Sequence, residues 1–374
     1  MQTLFWIALL FVAYTYAGYP LAVWLLARAR GAEPIANDDP TEWPAVTVVI
    51  AVHNEQARVL KKIENLRNLD YPADRLHWIF VSDGSTDATN DLLRAQPQGR
   101  LIAYPDRQGK PHALNTALRE VTTPIVVFAD VRQHIERSAV RKLVTRLLQP
   151  GIGAVSGELT HVEPGTQSAA SIGLYWRYEK WIRKSESRLA STVGATGALY
   201  AMRTADYTPL ASDTILDDFE QPMLVARSGK RVVFEPGAVI FDELQSDMAG
   251  ERKRKIRTLT GNFQSFARHG WMFVPWQNPL WLQFLSHKVF RLLVPYALMV
   301  MLVTSAFLPT AWMALFLPGQ LLFYALAALG QRTAAFKRMR LASFAGVFVE
   351  MNWAAVIALR NWLAGGVNAR WEKT

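Results

Sequence analysis

The chain has no cysteine among its 374 residues, which excludes disulfide bridges and thiolate metal sites. Charge is also scarce: 19% of residues are Asp, Glu, Lys or Arg against 51% hydrophobic, an unusual balance for a soluble protein. The scarcity is local. Residues 4–26 carry no charge at all, and about 23 residues rising roughly 1.5 Å each cross a hydrocarbon layer of about 30 Å. No basic residue precedes this run, whereas Arg28 and Arg30 follow it. That order fits an uncleaved anchor whose C-terminal end faces the cytoplasm, not a cleaved signal.

Two nucleotide-binding motifs are missing as well. Around Gly109 and Lys110, Tyr104 stands where a Walker loop needs its first glycine, and Pro111 stands where it needs Ser or Thr. Gly151, Gly153 and Ser156 miss the third glycine of the dinucleotide fingerprint. A P-loop ATPase and a nicotinamide enzyme are therefore unsupported. There is no internal repeat or low-complexity tract.

What is present begins with three further apolar segments, at about 289–308, 311–330 and 341–363. Pro309 and Thr310 make a tight hairpin of the first two, and Arg332, Lys337, Arg338 and Arg340 put the next connection on the cytoplasmic side. The last segment holds Glu350, Asn352 and Arg360. Charge at mid-membrane costs about 2.5–3.5 kcal/mol on insertion scales, and a fourth full crossing would carry Arg370 and Lys373 outside. A re-entrant, tilted or interfacial course is the alternative. The formal net charge is +10, but the basic residues gather beside the apolar segments, so anionic membrane lipid is the expected partner and nucleic acid is not.

Between these ends lies a polar, Pro- and Asp-rich linker over 31–44, then an alternation of β-branched runs and helical patterns. Strands are expected at 45–52, 76–81, 101–104 and 125–128. Helices are expected through Leu60, Ile63, Leu66 and Leu69, then over 111–121 and 137–148. Such alternation predicts an α/β domain with a parallel sheet. Polar residues recur at the strand ends: His53, Asn54 and Glu55 after the first, Asp83 to Asp87 after the second, Asp130 after the fourth. Singly, each is a turn or a helix cap. Side by side at the carboxyl edge of a parallel sheet they form a crevice for base and ribose.

The strings VVIAVHNE, VSDGSTDAT, GKPHALNTAL, VVFADVRQ, VSGEL, VGATGALYAMR, ILDDFEQPMLVARSGKRVVFEPGA and ERKRKIRTLTGNFQ occur in that order. Together they resemble membrane-bound family-2 glycosyltransferases, inverting enzymes that include cellulose, chitin and hyaluronan synthases. The resemblance covers about Val46 to Gln264 and implies a GT-A domain, Rossmann-like and nucleotide-sugar-binding, flanked by transmembrane helices. The implied domains are an anchor at 1–30, a linker at 31–44, the catalytic domain at 45–270, an interfacial aromatic segment at 271–288 and a membrane region at 289–374. The implied location is a bacterial-type inner membrane, multi-pass, with the catalytic domain in the cytoplasm.

By the same resemblance, Asn54, Glu55 and Asp83 contact base and ribose, and Lys110 reaches the diphosphate; its plain reading is a solvated helix-start lysine. Asp130 is the first acid of the family's D-x-D, which implies a divalent cation, Mg2+ or Mn2+, with Asp130 as a ligand. Arg132 stands in place of the second acid and is expected on the donor. Gly197 and Ala198 belong to a loop on the acceptor side, or to a simple turn. Asp217 and Asp218 match the acidic pair whose last member is the general base, a role given to Asp218, with Asp217 raising its pKa or holding the acceptor. Arg254 and Arg257 share a helical face and match the Q/R-x-x-R-W motif, so Arg257 could grip the departing diphosphate. A basic membrane-surface helix is the alternative. Thr258 replaces the motif's tryptophan, which weakens the case for a processive polymerase.

Residues 168–188 mix Tyr178, Trp181 and Ile182 with Arg177, Lys180, Arg183 and Lys184, and Trp271, Trp276 and Trp281 follow later. Both stretches suit a membrane surface. The expected activity is sugar transfer from a nucleotide sugar to a lipid-linked or glycan acceptor. Alternatives are a processive synthase with export or polymerisation partners, or a non-catalytic scaffold of a polysaccharide assembly.

Overall fold

The computed structural model describes residues 1–31, 39–162, 167–243, 248–333, 336 and 339–366. Half of the expected linker, together with Lys337, Arg338, Arg370 and Lys373, lies outside these residues. The chain starts as α1 (Gln2–Ala29), broken only by a π-turn at Tyr14–Gly18. Four strands follow, β1 (Val46–Val52), β2 (Leu76–Asp83), β3 (Arg100–Tyr104) and β4 (Ile125–Ala129), all parallel and ordered β3-β2-β1-β4. β4 is buried throughout and β1 nearly so, which is why both read as unbroken apolar runs. Helices α2 (Val59–Arg67), α3 (Thr89–Arg94) and α4 (Lys110–Leu118) cross between them.

Beyond β4 the sheet stops being parallel. It continues through β5 (His134–Ile135), α5 (Ala139–Leu147), β6 (Ile152–Val162), α6 (Gln167–Leu189), β7 (Leu199–Arg203), α7 (Asp217–Arg227) and β8 (Arg231–Glu243). The full order is β3-β2-β1-β4-β7-β6-β8-β5, with β7 antiparallel to both β4 and β6. The expectation of a parallel sheet therefore holds for its first half only. Strand-helix alternation dictates direction there, whereas the long helix before β7 leaves it free to enter either way.

Two apolar layers cover the sheet. One joins α2 and α5 to β1, β2 and β4, through Val48, Ile50, Ile63, Leu66, Val127 and Leu143. The other joins α4 and α7 through Val49, Leu114, Phe128, Tyr200, Phe219 and Met223, and extends into Phe284, Leu292 and Ala355. Of the remaining helices α8 (Met248–Arg268), α9 (Trp281–Ser305), α10 (Thr310–Arg332) and α11 (Arg340–Leu363), α9 carries Phe284 and Leu292 and α11 carries Ala355. The domain and the feet of these helices thus share one core.

Helices α1, α9, α10 and α11 are long and apolar enough to cross a membrane. α9 begins eight residues before the expected segment, and takes in a second π-turn at Leu285–Val289. Phe5 and Ala8 pack with Met301 and Leu308 at one end of the bundle. α11 crosses α10 closely, Gly330 lying against the backbone of Ala342, and its second half lies along α8. Arg252 pairs with Glu350 at 2.9 Å and Phe263 stacks on Trp362. The charge that was costly at mid-membrane therefore has a partner from the domain. α6 packs its Tyr178, Trp181 and Ile182 on Tyr19 and Val23 of α1, while Trp276 is 84% exposed.

Candidate active site

The strand register places Val52 beside Ser82 and Val49 beside Phe128, so the residues after β1, β2 and β4 leave the sheet at one edge. Asn54 adopts φ +56°, the only positive φ outside glycine among the described residues, a conformation asparagine tolerates better than most. Its side-chain oxygen accepts from the backbone N–H groups of Thr86 (2.7 Å) and Asp87 (3.2 Å), and its own N–H donates to Ser85 Oγ at 3.0 Å. Glu55 pairs locally with Arg58 at 2.9 Å, and its backbone N–H donates to Thr89 Oγ1 at 2.8 Å. These two residues tie the first two strand-end loops together.

Asp83 has a job that the sequence did not suggest. It is fully buried, and its two carboxylate oxygens accept the N–H groups of Gln108 (2.7 Å) and Gly109 (2.9 Å). Gly109 takes φ +97°, a turn that favours glycine, and α4 starts at the next residue. Asp83 thus positions Lys110. The Lys110 ammonium lies 3.3 Å from Asp130 Oδ1 and 3.4 Å from Asp217 Oδ2. Burial works to discharge it, but Asp130, Asp217 and Asp218 more than offset that and hold its pKa above the ordinary lysine value.

Asp217 and Asp218 open α7. Asp217 is buried and Asp218 partly so. Burial, and then the neighbouring Asp217, push the Asp218 carboxyl up to about 6, against the pull of Lys110, Lys288 and Arg183. Gly197 explains how the acceptor-side loop meets this acid: a Cβ there would stand 2.5 Å from Asp218 Oδ2. Ala195 N–H donates to Asp218 O at 2.7 Å, and Asp130 N–H donates to Ala198 O at 3.3 Å. The loop therefore bridges Asp130 and Asp218.

Arg132 turns away from this group. Its guanidinium pairs with the buried Asp242 of β8 at 2.5 Å, so its expected place on the donor is replaced here by an ion pair across the sheet edge. No group of three or more His, Cys, Asp or Glu among the described residues could hold a metal, and the nearest charge to Asp130 is an ammonium. The side chains alone do not fit a divalent cation. Arg254 and Arg257 lie on α8. Gly261 of that helix packs against Ile215 and Leu216, just before Asp217, and Arg257, one turn earlier, has a buried Nε without a hydrogen-bond partner. A guanidinium with an unpaired buried Nε is suited to an anion.

Two features escaped the sequence reading. Glu220, buried, accepts from Ser265 (2.8 Å) and pairs with Arg268 (3.2 Å), clamping α7 to α8. Lys62, also buried, donates to Gln133 O, and burial pushes its ammonium down to about 7 with Asp130 acting against it. Both look like ordinary helix-surface charges in sequence.

A mixed sheet with a carboxylate-lined crevice at the carboxyl ends of its parallel strands is the GT-A arrangement. Residues 47–205 match the model of the family "Glycosyl transferase family 2", and the chain carries a domain of that family. Over 250 residues it is 24% identical to a probable glycosyltransferase, YdaM, of Bacillus subtilis, covering 61% of this chain and 58% of that one. Over 137 residues it is 32% identical to a beta-monoglucosyldiacylglycerol synthase of Synechocystis, covering 34% and 29%. The aligned regions thus span little more than half of the first of these curated relatives and under a third of the second. Among solved structures, the mannosyltransferase PcManGT of Pyrobaculum calidifontis, in complex with GDP-Man and Mn2+, superposes with a TM-score of 0.73 at 25% identity, covering 96% of this chain and 99% of that one.

Proposed function

We propose that the protein is a membrane-embedded, inverting glycosyltransferase that moves a sugar from a nucleotide donor to a hydroxyl of a lipid-linked or glycan acceptor. The observation that carries this reading is the pair Asp217–Asp218 facing Lys110 and Asp130 in one crevice, with Asp218 held up to about 6. Inversion needs one base beside the acceptor. Asp218 takes the hydroxyl proton while the oxygen attacks the anomeric carbon from the face opposite the leaving group. The bond from that carbon to the diphosphate breaks, and its electron pair leaves with the nucleoside diphosphate. Lys110 and Arg257 offset the charge that builds there. The proton then passes from Asp218 to water.

Asn54, Glu55 and Asp83 act here by holding the loops that receive base and ribose. A divalent cation, as bound in the Pyrobaculum structure, would arrive with the donor's phosphates, with Asp130 as its protein contact. The inner membrane fits the four apolar helices and the shared core. Missing tryptophan at Thr258 favours a short product over a processive polymer.

The test is a screen of nucleotide sugars against membrane lipid extract, with Mg2+, Mn2+ or a chelator, scored by release of nucleoside diphosphate. One donor is expected to turn over, and Asp218→Asn to slow it by about 10²–10⁴-fold. Wild-type rates in that variant would overturn the assignment, and donor binding without turnover would favour a scaffold.

A further inference from the structure

Two cations approach Asp218 from the membrane side, and neither belongs to the donor group. Lys288 sits in the π-turn Leu285–Val289 at the foot of α9, the kind of helix irregularity often found at functional sites. Its ammonium lies 5.8 Å from the ring centroid of Phe219, the residue after Asp218. Arg183 of α6 donates to Thr196 Oγ1 at 3.0 Å, and Thr196 precedes the glycine that presses on Asp218. Both act on the Asp218 carboxyl.

The acids near this pair are engaged by other groups, Glu186 through Oε1 alone, its Oε2 being buried without a hydrogen-bond partner. Glu179 binds Arg291 and His287, and Glu186 binds Tyr19 (2.5 Å) and His287 (2.8 Å). Lys288 makes no hydrogen bond or ion pair among the described residues; a half-buried ammonium in that state favours an anion. The donor's diphosphate is served from elsewhere, since Lys110 comes from α4 at the strand ends.

We propose that Lys288 and Arg183 form an acceptor subsite for a negative charge, a phosphate or carboxylate placed beside the hydroxyl that Asp218 deprotonates. The inference rests on Asp218 being the base. A phosphate oxygen attacking directly would be ionised already and would need no base, so the reacting group is a hydroxyl and the anion is its neighbour. Acceptors that enter from the membrane then select themselves by headgroup charge.

The test uses the full chain in neutral-lipid nanodiscs with the donor found above. The acceptors are dodecyl glucoside, dodecyl glucuronide and dodecyl glucoside 6-phosphate, matched in tail and ring. Either or both anionic acceptors are expected to show a KM at least about tenfold below that of the glucoside, and the comparison between them separates carboxylate from phosphate. Lys288→Gln and Arg183→Gln are expected to raise the KM of the preferred anionic acceptor, with a much smaller effect on the glucoside. Donor binding by calorimetry checks that each variant is folded. Equal use of all three acceptors, or an equal loss for all three in both folded variants, would overturn the subsite while leaving the transferase reading intact. If no acceptor turns over, equilibrium binding of the same three to the wild-type protein decides: anion preference sustains the subsite, its absence ends it.

Discussion

At the scale of single residues, the site depends on how charge is arranged around Asp218. As the proposed base, Asp218 works only with its proton off, so a pKa held up to about 6 predicts that kcat/KM falls as pH drops through that value. Asp217→Asn removes one of the two causes that raise it. The acid limb of the pH profile is expected to move to lower pH in that variant, and an unmoved limb would show that Asp218 does not govern it. Gly197→Ala tests the loop. Its new methyl would stand 2.5 Å from Asp218 Oδ2, so the acid or the loop must shift. Misplacing a reacting group by about 1 Å costs on the order of 10²-fold in rate, and a loss of that size with donor affinity preserved is the expected result. Lys110, Asp130 and the acidic pair were legible through the ordered strings that resemble the family, since each charge alone reads as a turn, a cap or a helix-start residue. The sequence did not foresee that the Asp83 side chain binds backbone N–H groups of a loop that no spacing rule connects to it.

Elements set where those residues stand. α7 carries both acids, and α8 holds α7 in place through the buried Glu220, which receives Ser265 and Arg268. Arg268→Ala would leave a buried carboxylate with fewer donors and is expected to destabilise the protein by about 1–3 kcal/mol, seen as a lower thermal midpoint. An unchanged midpoint would mean that the clamp is dispensable. Strand and helix positions in the first half were readable from the alternation of apolar runs. The antiparallel insertion of β7 was not, because hydropathy records burial and carries no strand direction. Arg132 illustrates the same limit: its partner Asp242 is more than a hundred residues away, on β8.

For the whole molecule, the central fact is a core that runs from the sheet into the membrane-helix feet. Phe284 is fully buried in α9 and packs against Phe219, Phe266 and Phe273. Phe284→Ala is expected to cost about 3–5 kcal/mol and to loosen the catalytic domain, though it lies outside the donor crevice. Limited proteolysis with and without nucleotide would read this, and a domain unaffected by the change would show that the two parts fold separately. Such coupling places Phe219, next to Asp218, against the foot of an apolar helix long enough to cross a membrane.

The sequence by itself determined the membrane-helix candidates, the α/β domain and most of the charged cast, since hydrophobic length, β-branched runs and motif order are properties of the chain. It also left the last apolar segment open between crossing and lying at the interface. Only the tertiary structure decided that Glu350 pairs with Arg252 and that α11 lies along α8. It alone showed Asp83 and Arg132 engaged within the protein, and Lys288 over the ring of Phe219, next to Asp218. Those outcomes turn on contacts between residues far apart in the chain, and a partner's identity is fixed by packing, which no local pattern encodes.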